Sequence, residues 1–336
     1  MARYGAGMSA GNAESPQGPA LKGGEVEPGV LRTRCMNILM TTDGTKSASA
    51  ALRAACRILT AAGRKVTIVC AAPQTGDEKH RRRARARALH ILERAKAMLH
   101  RHGVEAETIM QAGSPARMIL RIAVDYDLLV VGGRSAEEPG RAGLGSVASR
   151  IVEHSPIPVL IARHLNVDNI EGGLRILAAV DNSQTALDGL DRLAECVDLA
   201  CADVTLLHVV ETPWLPHLDS DDEWRGFDEL RDEEDGGEYQ GQTGPEAEIG
   251  REFERQGSYV IEQARDHLPP QAAVTTLIRE GLPGAEILSA IQSGEYDLVV
   301  TGHSGSLDMK RRMLGSVAIS VASYATCPVL VVGRAG

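Results

Sequence analysis

Two matching series of short apolar runs organise this chain. Runs rich in Val, Ile and Leu alternate with longer stretches in which apolar residues recur at helical spacing, for example Ala48–Ala61 and Ala186–Leu199. Near-continuous apolar runs of this length are typical of strands covered on both faces of a parallel sheet. The order β-α-β-α-β-α-β-α-β predicts an α/β fold with an open, doubly wound sheet. The predicted strands lie at 35–43, 66–73, 105–111, 126–132 and 156–161, and again at 174–181, 204–211, 273–279, 296–302 and 327–332.

The second series repeats the first. VTIVCAAP at 66–73 corresponds to VTLLHVVE at 204–211, and YDLLVVG at 126–132 to YDLVVTG at 296–302. A period this long indicates duplication of a whole domain rather than a solenoid. The predicted organisation is a tail at 1–34, a first domain at 35–165, a linker at 166–173, and a second domain at 174–336 with an insertion at 212–251.

Composition narrows the class of protein. Residues 1–34 are rich in Gly, Ala, Pro and polar residues and predict a disordered tail, or an upstream extension of a chain that starts near Met36. That segment has no apolar core of a secretory signal, and no apolar run approaches the length of a membrane span. The net charge of −9 argues against general nucleic-acid binding, though not against a local basic patch. We therefore expect a cytoplasmic protein without nucleic-acid or membrane partners.

Six cysteines form no CxxC pair and lie mostly in apolar runs. This pattern favours buried free thiols over disulfides or metal ligands.

A glycine loop follows the fourth strand of the second half. Gly302 and Gly305 are followed, after nine intervening residues, by Gly315 and Ser316, where a new helical pattern begins. Glycine allows a ligand to approach the backbone closely, and the N-terminus of a helix presents N–H groups with partial positive charge. The spacing G-x2-G-x9-G-S therefore predicts a phosphate cradle.

An aspartate ends the first strand of each half, at Asp43 and Asp181. Ligands of open parallel sheets bind at the carboxyl ends of the strands, where the strand order reverses. There the carboxylate could accept hydrogen bonds from ribose hydroxyls. The alternative is that each Asp only caps the following helix as a turn residue. The presence of a matching glycine loop in both halves favours a nucleotide.

The sequence resembles the universal stress protein family in its tandem-domain form, from Met36 to Arg334. The resemblance rests on the glycine motif, on VDNS at 180–183 and on CPVLVV at 327–332. It implies a Rossmann-like fold, similar to adenine-nucleotide alpha hydrolases, with five strands per domain in the order 3-2-1-4-5. It also implies ATP with Mg²⁺ or Mn²⁺ carried on the phosphates.

The resemblance implies roles for individual residues of the second half. Asp181 would hold the ribose, and Val180 and Val209 would flank the adenine. The phosphates would be lined by Gly302, Gly305, Gly315, Ser316 and Val317.

The corresponding first-half residues are Thr42, Asp43, Ala71, Gly132, Ser135, Gly145, Ser146 and Val147. Ser135 stands where the family has a glycine. Its Cβ would crowd a phosphate, which puts phosphate binding in the first half in doubt. We therefore expect tighter ATP binding in the second half.

Two charged segments occupy equivalent places after the second strand of each half. Lys79–Arg87 carries six Lys or Arg, and Asp219–Glu238 carries eleven Asp or Glu; both are interpreted as solvated loops or helix faces. A further hypothesis is that Asp219–Glu238 is a docking segment for an unknown protein partner. The resemblance also implies that the last strands, Pro158–Ile161 and Pro328–Val332, are edge strands that pair with each other, in keeping with the tendency of exposed apolar edges to find partners. This pairing would make an intramolecular pseudo-dimer of domains, and it leaves a homodimer of whole chains open.

The leading interpretation is an ATP-binding regulatory protein of the stress response. The alternatives are a slow ATPase or phosphoryl- or adenylyl-transferring enzyme on the same fold, and an ATP-independent interaction scaffold. No general base is evident from the sequence. His208 is interpreted as a packed strand residue, His303 as a solvent-facing loop residue, and Lys310, Arg311 and Arg312 equally as phosphate neighbours or as a solvated loop.

Overall fold

The computed structural model describes residues 35–60, 63–133, 143–163, 173–211, 245–304 and 314–333. The strands in this part of the chain are β1 Met36–Thr41, β2 Arg64–Ala72, β3 Ala106–Ala112, β4 Leu128–Gly132, β5 Val159–Ala162, β6 Leu174–Ala179, β7 Ala202–Val210, β8 Ala273–Glu280, β9 Leu298–Gly302 and β10 Val329–Val332. The helices are α1 Lys46–Ile58, α2 Glu78–Arg101, α3 Pro115–Ala123, α4 Ser146–His154, α5 Gln184–Cys196, α6 Pro245–Arg265, α7 Pro283–Gly294 and α8 Ser316–Tyr324. A short 3-10 helix at Leu199–Cys201 precedes β7.

All of these strands form one sheet in the order β3-β2-β1-β4-β5-β10-β9-β6-β7-β8. Every neighbouring pair is parallel except β5 and β10. Within each half the order is 3-2-1-4-5, as the family resemblance implied. The first strand of each half lies between the second and the fourth, so the strand order reverses beside β1 and beside β6.

The two halves meet where β5 pairs with β10. The pairing is antiparallel, with Leu160 opposite Leu330 and Val159 opposite Val331. This confirms the predicted pairing of the last strands within one chain. Each edge strand thereby acquires a partner for its main-chain groups, which an exposed apolar edge requires.

The apolar core lies on both faces of the sheet. One cluster packs β-strand side chains against α1, α2, α5 and α6, and the other packs them against α3, α4, α7 and α8. Both clusters contain residues of both halves, including Leu160 and Leu330 in the first cluster. The core is therefore continuous across the joint between the halves.

Helix caps explain where the predicted helix boundaries were wrong. Helices α1 and α5 begin earlier than predicted because Thr45 and Ser183 act as N-caps, their side chains accepting from the N–H groups of Ala48 and Ala186. Helix α5 ends at Cys196 rather than Leu199, and Asp198 then caps the short 3-10 helix.

Several predicted segments lie partly or wholly outside the described residues. The tail at 1–34, residues 166–172 of the linker and Asp219–Glu238 are among them. The end of the predicted insertion at 212–251 falls inside α6, which begins at Pro245. Lys79–Arg87 lies in α2 and is largely exposed, in agreement with the solvated helix face expected for it. No helix of the described residues is long and apolar enough to cross a bilayer.

All six cysteines are free thiols, but only Cys70, Cys196 and Cys327 are buried. Burial raises the pKa of Cys196 and of Cys327 to about 12. Because the thiolate is the reactive form, we expect iodoacetamide to label exposed Cys35 and Cys201 in the native protein and to spare Cys196 and Cys327. Mass spectrometry of tryptic peptides checks this, and rapid native labelling of Cys327 would contradict the packing at the joint.

Candidate functional site

A cleft of about 560 Å³ opens at the carboxyl ends of β6, β7 and β9 in the second half. This volume is in the range of small-molecule sites, and the position is the point where the strand order reverses. The cleft is lined by Ala179, Val180, Asp181, Leu207, His208, Val209, Val210, Glu211, Gln256, Pro283, Ile287, Thr301, Gly302, His303, Ser304, Gly315, Ser316, Val317 and Ala318. Of the residues predicted for this half, only Gly305 is missing from the lining, and it lies outside the described residues together with Lys310, Arg311 and Arg312.

The carboxylate of Asp181 is held by the turn that starts α5. Its Oδ1 accepts from the main-chain N–H of Ser183 at 3.1 Å and from the Ser183 hydroxyl at 2.5 Å. The Ser183 Oγ in turn accepts from Ala186 N–H at 3.2 Å. The turn role that was the alternative for Asp181 is therefore present, and it fixes the carboxylate at the wall of the cleft.

The end of β9 packs directly against the first turn of α5. A Cβ added to Gly302 would lie 2.6 Å from Thr185 Oγ1 and 3.0 Å from the main-chain nitrogen of Ala186. Thr185 Oγ1 also donates to the Ser304 carbonyl at 2.5 Å, which ties α5 to the beginning of the glycine loop. Helix packing therefore requires glycine at 302 whether or not a ligand binds.

Two main-chain hydrogen bonds hold the ends of the glycine loop. Gly315 N–H donates to the His303 carbonyl at 2.7 Å, and His303 N–H donates to the Val332 carbonyl at 2.7 Å. Helix α8 then begins with Gly315 as N-cap, and no side chain caps it. The first turn of a helix has N–H groups without intrahelical partners, so α8 presents hydrogen-bond donors and partial positive charge at this side of the cleft.

The ends of β6 and β7 bring both apolar and polar residues to the cleft wall. Val180 and Val209 are both buried at its wall. His208 Nδ1 lies 2.8 Å from the Val180 carbonyl. Because a carbonyl oxygen can only accept, Nδ1 carries the hydrogen, and Nε2 of the neutral ring is an acceptor. His208 is half-buried on β7, as expected for a strand residue, and it also lines the cleft.

The first-half residues occupy the corresponding strand ends. Thr42 and Asp43 follow β1, Ala71 lies in β2, Gly132 ends β4, and Gly145, Ser146 and Val147 lie at the start of α4. Asp43 Oδ1 accepts from the N–H and the hydroxyl of Thr45 at 2.9 and 2.7 Å, which repeats the turn at Asp181. Ser135 lies outside the described residues.

The two halves differ in detail at these strand ends. A Cβ at Gly132 would meet its nearest neighbour, Ala51 Cβ, at 3.7 Å, an ordinary contact, whereas the one at Gly302 would clash. Cys70 occupies the first-half position that corresponds to His208. Burial and the Asp43 carboxylate raise the pKa of its thiol, and the Arg87 guanidinium lowers it. The first half therefore has a thiol, with a carboxylate and a guanidinium near it, at the position where the second half has the imidazole.

The structure adds residues that the sequence did not single out. Thr185 and Ser304 join α5 to the loop, and Gln256, Pro283 and Ile287 come from α6 and α7. The interpretation of His303 as solvent-facing was wrong. It is half-buried, and burial is the main cause that lowers its pKa, while an interaction with the Glu153 main chain raises it. Glu153 belongs to the other half of the chain, a contact that no local pattern indicates.

Comparisons with a family model, with individual proteins and with solved structures all point to the same family. The model described as universal stress protein family matches residues 35–163 and 174–333. The chain is 34% identical over 86 residues to universal stress protein YxiE of Bacillus subtilis, covering 25% of this chain and 58% of that protein. It is 24% identical over 251 residues to a universal stress protein of Mycolicibacterium smegmatis, covering 73% of this chain and 76% of that protein. Among solved structures, a universal stress protein from Archaeoglobus fulgidus has a TM-score of 0.61 at 21% identity, covering 89% of this chain and 98% of that one.

Proposed function

The chain belongs to the universal stress protein family, and we propose that it is a regulatory stress-response protein that binds ATP in the cleft of its second half. One observation carries the proposal: β6, β7, β9 and the start of α8 bring an acid, two buried valines and a helix N-terminus to the wall of one cleft. These groups match the parts of a nucleotide. We place the protein in the cytoplasm, where ATP is available, with an unidentified protein partner that reads the nucleotide state.

The chemistry of the cleft supports a fixed orientation of ATP. The apolar side chains of Val180 and Val209 suit a purine, and Asp181 suits ribose hydroxyls rather than phosphates, because like charges repel. The phosphates would then lie against Gly302 and the first turn of α8, where the Ser316 hydroxyl and main-chain N–H groups are donors.

A divalent cation fits this arrangement as part of the ligand. Among the described residues, no group of three or more His, Cys, Asp or Glu side chains could hold a metal ion. Mg²⁺ or Mn²⁺ would therefore be held mainly through the phosphates, near the hydroxyl of Ser316, and would neutralise phosphate charge there.

Native mass spectrometry of the purified protein tests the proposal. We expect a mass increment equal to ATP or a derived adenine nucleotide, and calorimetry with ATP and Mg²⁺ should show one tighter site. A protein that carries no nucleotide and gives no heat with ATP would contradict the proposal and favour the scaffold alternative. Incubation with labelled ATP under single-turnover conditions separates a binding protein from a slow enzyme.

We predict that Asp181→Asn lowers ATP affinity about tenfold. The amide oxygen can still accept from Ser183 N–H and keep the turn, but the ribose loses an acceptor with full negative charge. Calorimetry with ATP measures the loss, and Asp43→Asn is the matched control because it changes the same turn in the first half. An equal or larger loss in Asp43→Asn would place the main site in the first half.

A further inference from the structure

The helices that begin at the two glycine loops both end against a basic side chain of the opposite half. Helix α8 begins in the second-half cleft, and near its C-terminus the carbonyl of Ala322 accepts from Arg163 Nη2. Arg163 Nη1 also donates to the Cys327 carbonyl at 3.4 Å. Arg163 follows β5 of the first half. In the reverse direction, α4 begins at Gly145 in the first half, and its Glu153 main chain interacts with His303 of the second.

Arg163 is a buried cation with an unusual set of partners. It is 3% exposed, and burial lowers its pKa to about 10, so it stays protonated at neutral pH. In the described part of the chain its hydrogen-bond partners are carbonyls, and no carboxylate pairs with it. Burying a guanidinium costs free energy unless such bonds compensate for the lost hydration. The last carbonyls of a helix lack intrahelical partners and carry partial negative charge, so they provide this compensation.

Glycines make room for both contacts. A Cβ at Gly133 would lie 2.9 Å from Arg163 Cγ, whereas the residue in register with Gly133 in the second half is His303. In the second half the glycine is instead Gly333, which packs against His303. After the fourth strand the first half has Gly133 and the second half has His303. After the fifth strand the first half has Arg163 and the second half has Gly333. This exchange is a built feature of the joint, since adding a side chain at Gly133 would displace Arg163.

We infer that Arg163 is a positioning residue for the phosphate cradle of the second half. The inference rests on the proposed function, because the cradle is the part of the ATP site formed by the first turn of α8. Helix α8 has nine residues and is about 14 Å long, so it moves as a rigid unit. Fixing its last turn to the first half fixes the N–H groups of its first turn.

The test compares ligands with and without phosphates. For Arg163→Gln we expect ATP to bind about fivefold more weakly and adenosine to bind as in the wild type, because only ATP contacts the first turn of α8. Arg163→Lys, which keeps the charge, should recover most of the affinity for ATP. Calorimetry on the three proteins gives these values, and thermal denaturation reports any general destabilisation.

The possible outcomes distinguish failure of the positioning role of Arg163 from failure of the proposed ATP binding. Unchanged ATP affinity in Arg163→Gln, or an equal loss for ATP and adenosine, would overturn the positioning role while leaving ATP binding in place. A wild-type protein that binds neither ligand would overturn the proposed function and this inference with it. If Arg163→Gln does not fold, hydrogen exchange of the wild type decides the matter. ATP should then slow exchange at the last turn of α8, and protection confined to the cleft would overturn the inference.

Discussion

Replacing Gly302 by alanine is expected to lower the free energy of unfolding by about 1–3 kcal/mol and to weaken ATP binding at least tenfold. The added methyl group would lie 2.6 Å from Thr185 Oγ1 and 3.0 Å from a main-chain nitrogen of α5. The threonine cannot simply rotate away, because its hydroxyl donates to the Ser304 carbonyl at 2.5 Å. The strain would therefore move α5 or the glycine loop, and both border the cleft. Urea denaturation and calorimetry with ATP measure the two effects.

Gly132→Ala is the matched control for this prediction. It adds the same methyl group at the equivalent strand end, where the nearest atom, Ala51 Cβ, is 3.7 Å away. We expect its stability to change by no more than about 0.5 kcal/mol and ATP binding in the second half to stay the same. If Gly302→Ala changed stability and ATP binding as little as Gly132→Ala, the clash at Gly302 would be relieved without cost.

The sheet could be predicted because the apolar pattern of each strand depends on how the strand is buried. Nearly every position is apolar in Val66–Val69 and in Leu298–Thr301. Such continuous apolar runs are typical of strands covered on both faces, and both segments lie inside the sheet. The helix boundaries were less accurate, because they depend on caps such as Ser183 whose hydrogen bonds cannot be read from periodicity. The pairing of β5 with β10 was expected from the family resemblance, and it covers the apolar edge strand that each half alone would leave exposed.

The sequence indicated those candidate-site residues that belong to the repeated pattern of a strand-end aspartate and a glycine loop. Asp181, Gly302 and Ser316 come from separate segments, yet all line the same cleft, because the carboxyl ends of neighbouring parallel strands meet at one edge. Thr185 was missed because nothing in its local sequence indicates the contact with Ser304, 119 positions away. Arg163 was missed for the same reason, since its partners at Ala322 and Cys327 are set by the joint between the halves.

The joint should make the two halves unfold together. Leu160 and Leu330 lie opposite each other in the antiparallel β5–β10 pair and are 1% and 2% exposed in the same cluster. We expect the wild type to unfold in a single transition, and Leu330→Ala to cost about 2–5 kcal/mol. Leu160→Ala should cost a similar amount, and the double variant should lose less than the sum by about 0.5 kcal/mol or more, because the two side chains fill one space.

Leu206 provides the control for this cycle. It is fully buried in the same cluster but lies on β7, which is separated from β10 by β9 and β6, about 14 Å across the sheet. Leu206→Ala combined with Leu330→Ala should therefore be additive. Urea denaturation followed by circular dichroism measures all of these variants. Two separate transitions in the wild type, or an additive Leu160 and Leu330 pair, would mean that the halves only touch at the joint. A single transition with coupled leucines would show that strand pairing and core packing make the duplicated domains one folding unit, which is the condition for one half to hold a helix end of the other in place.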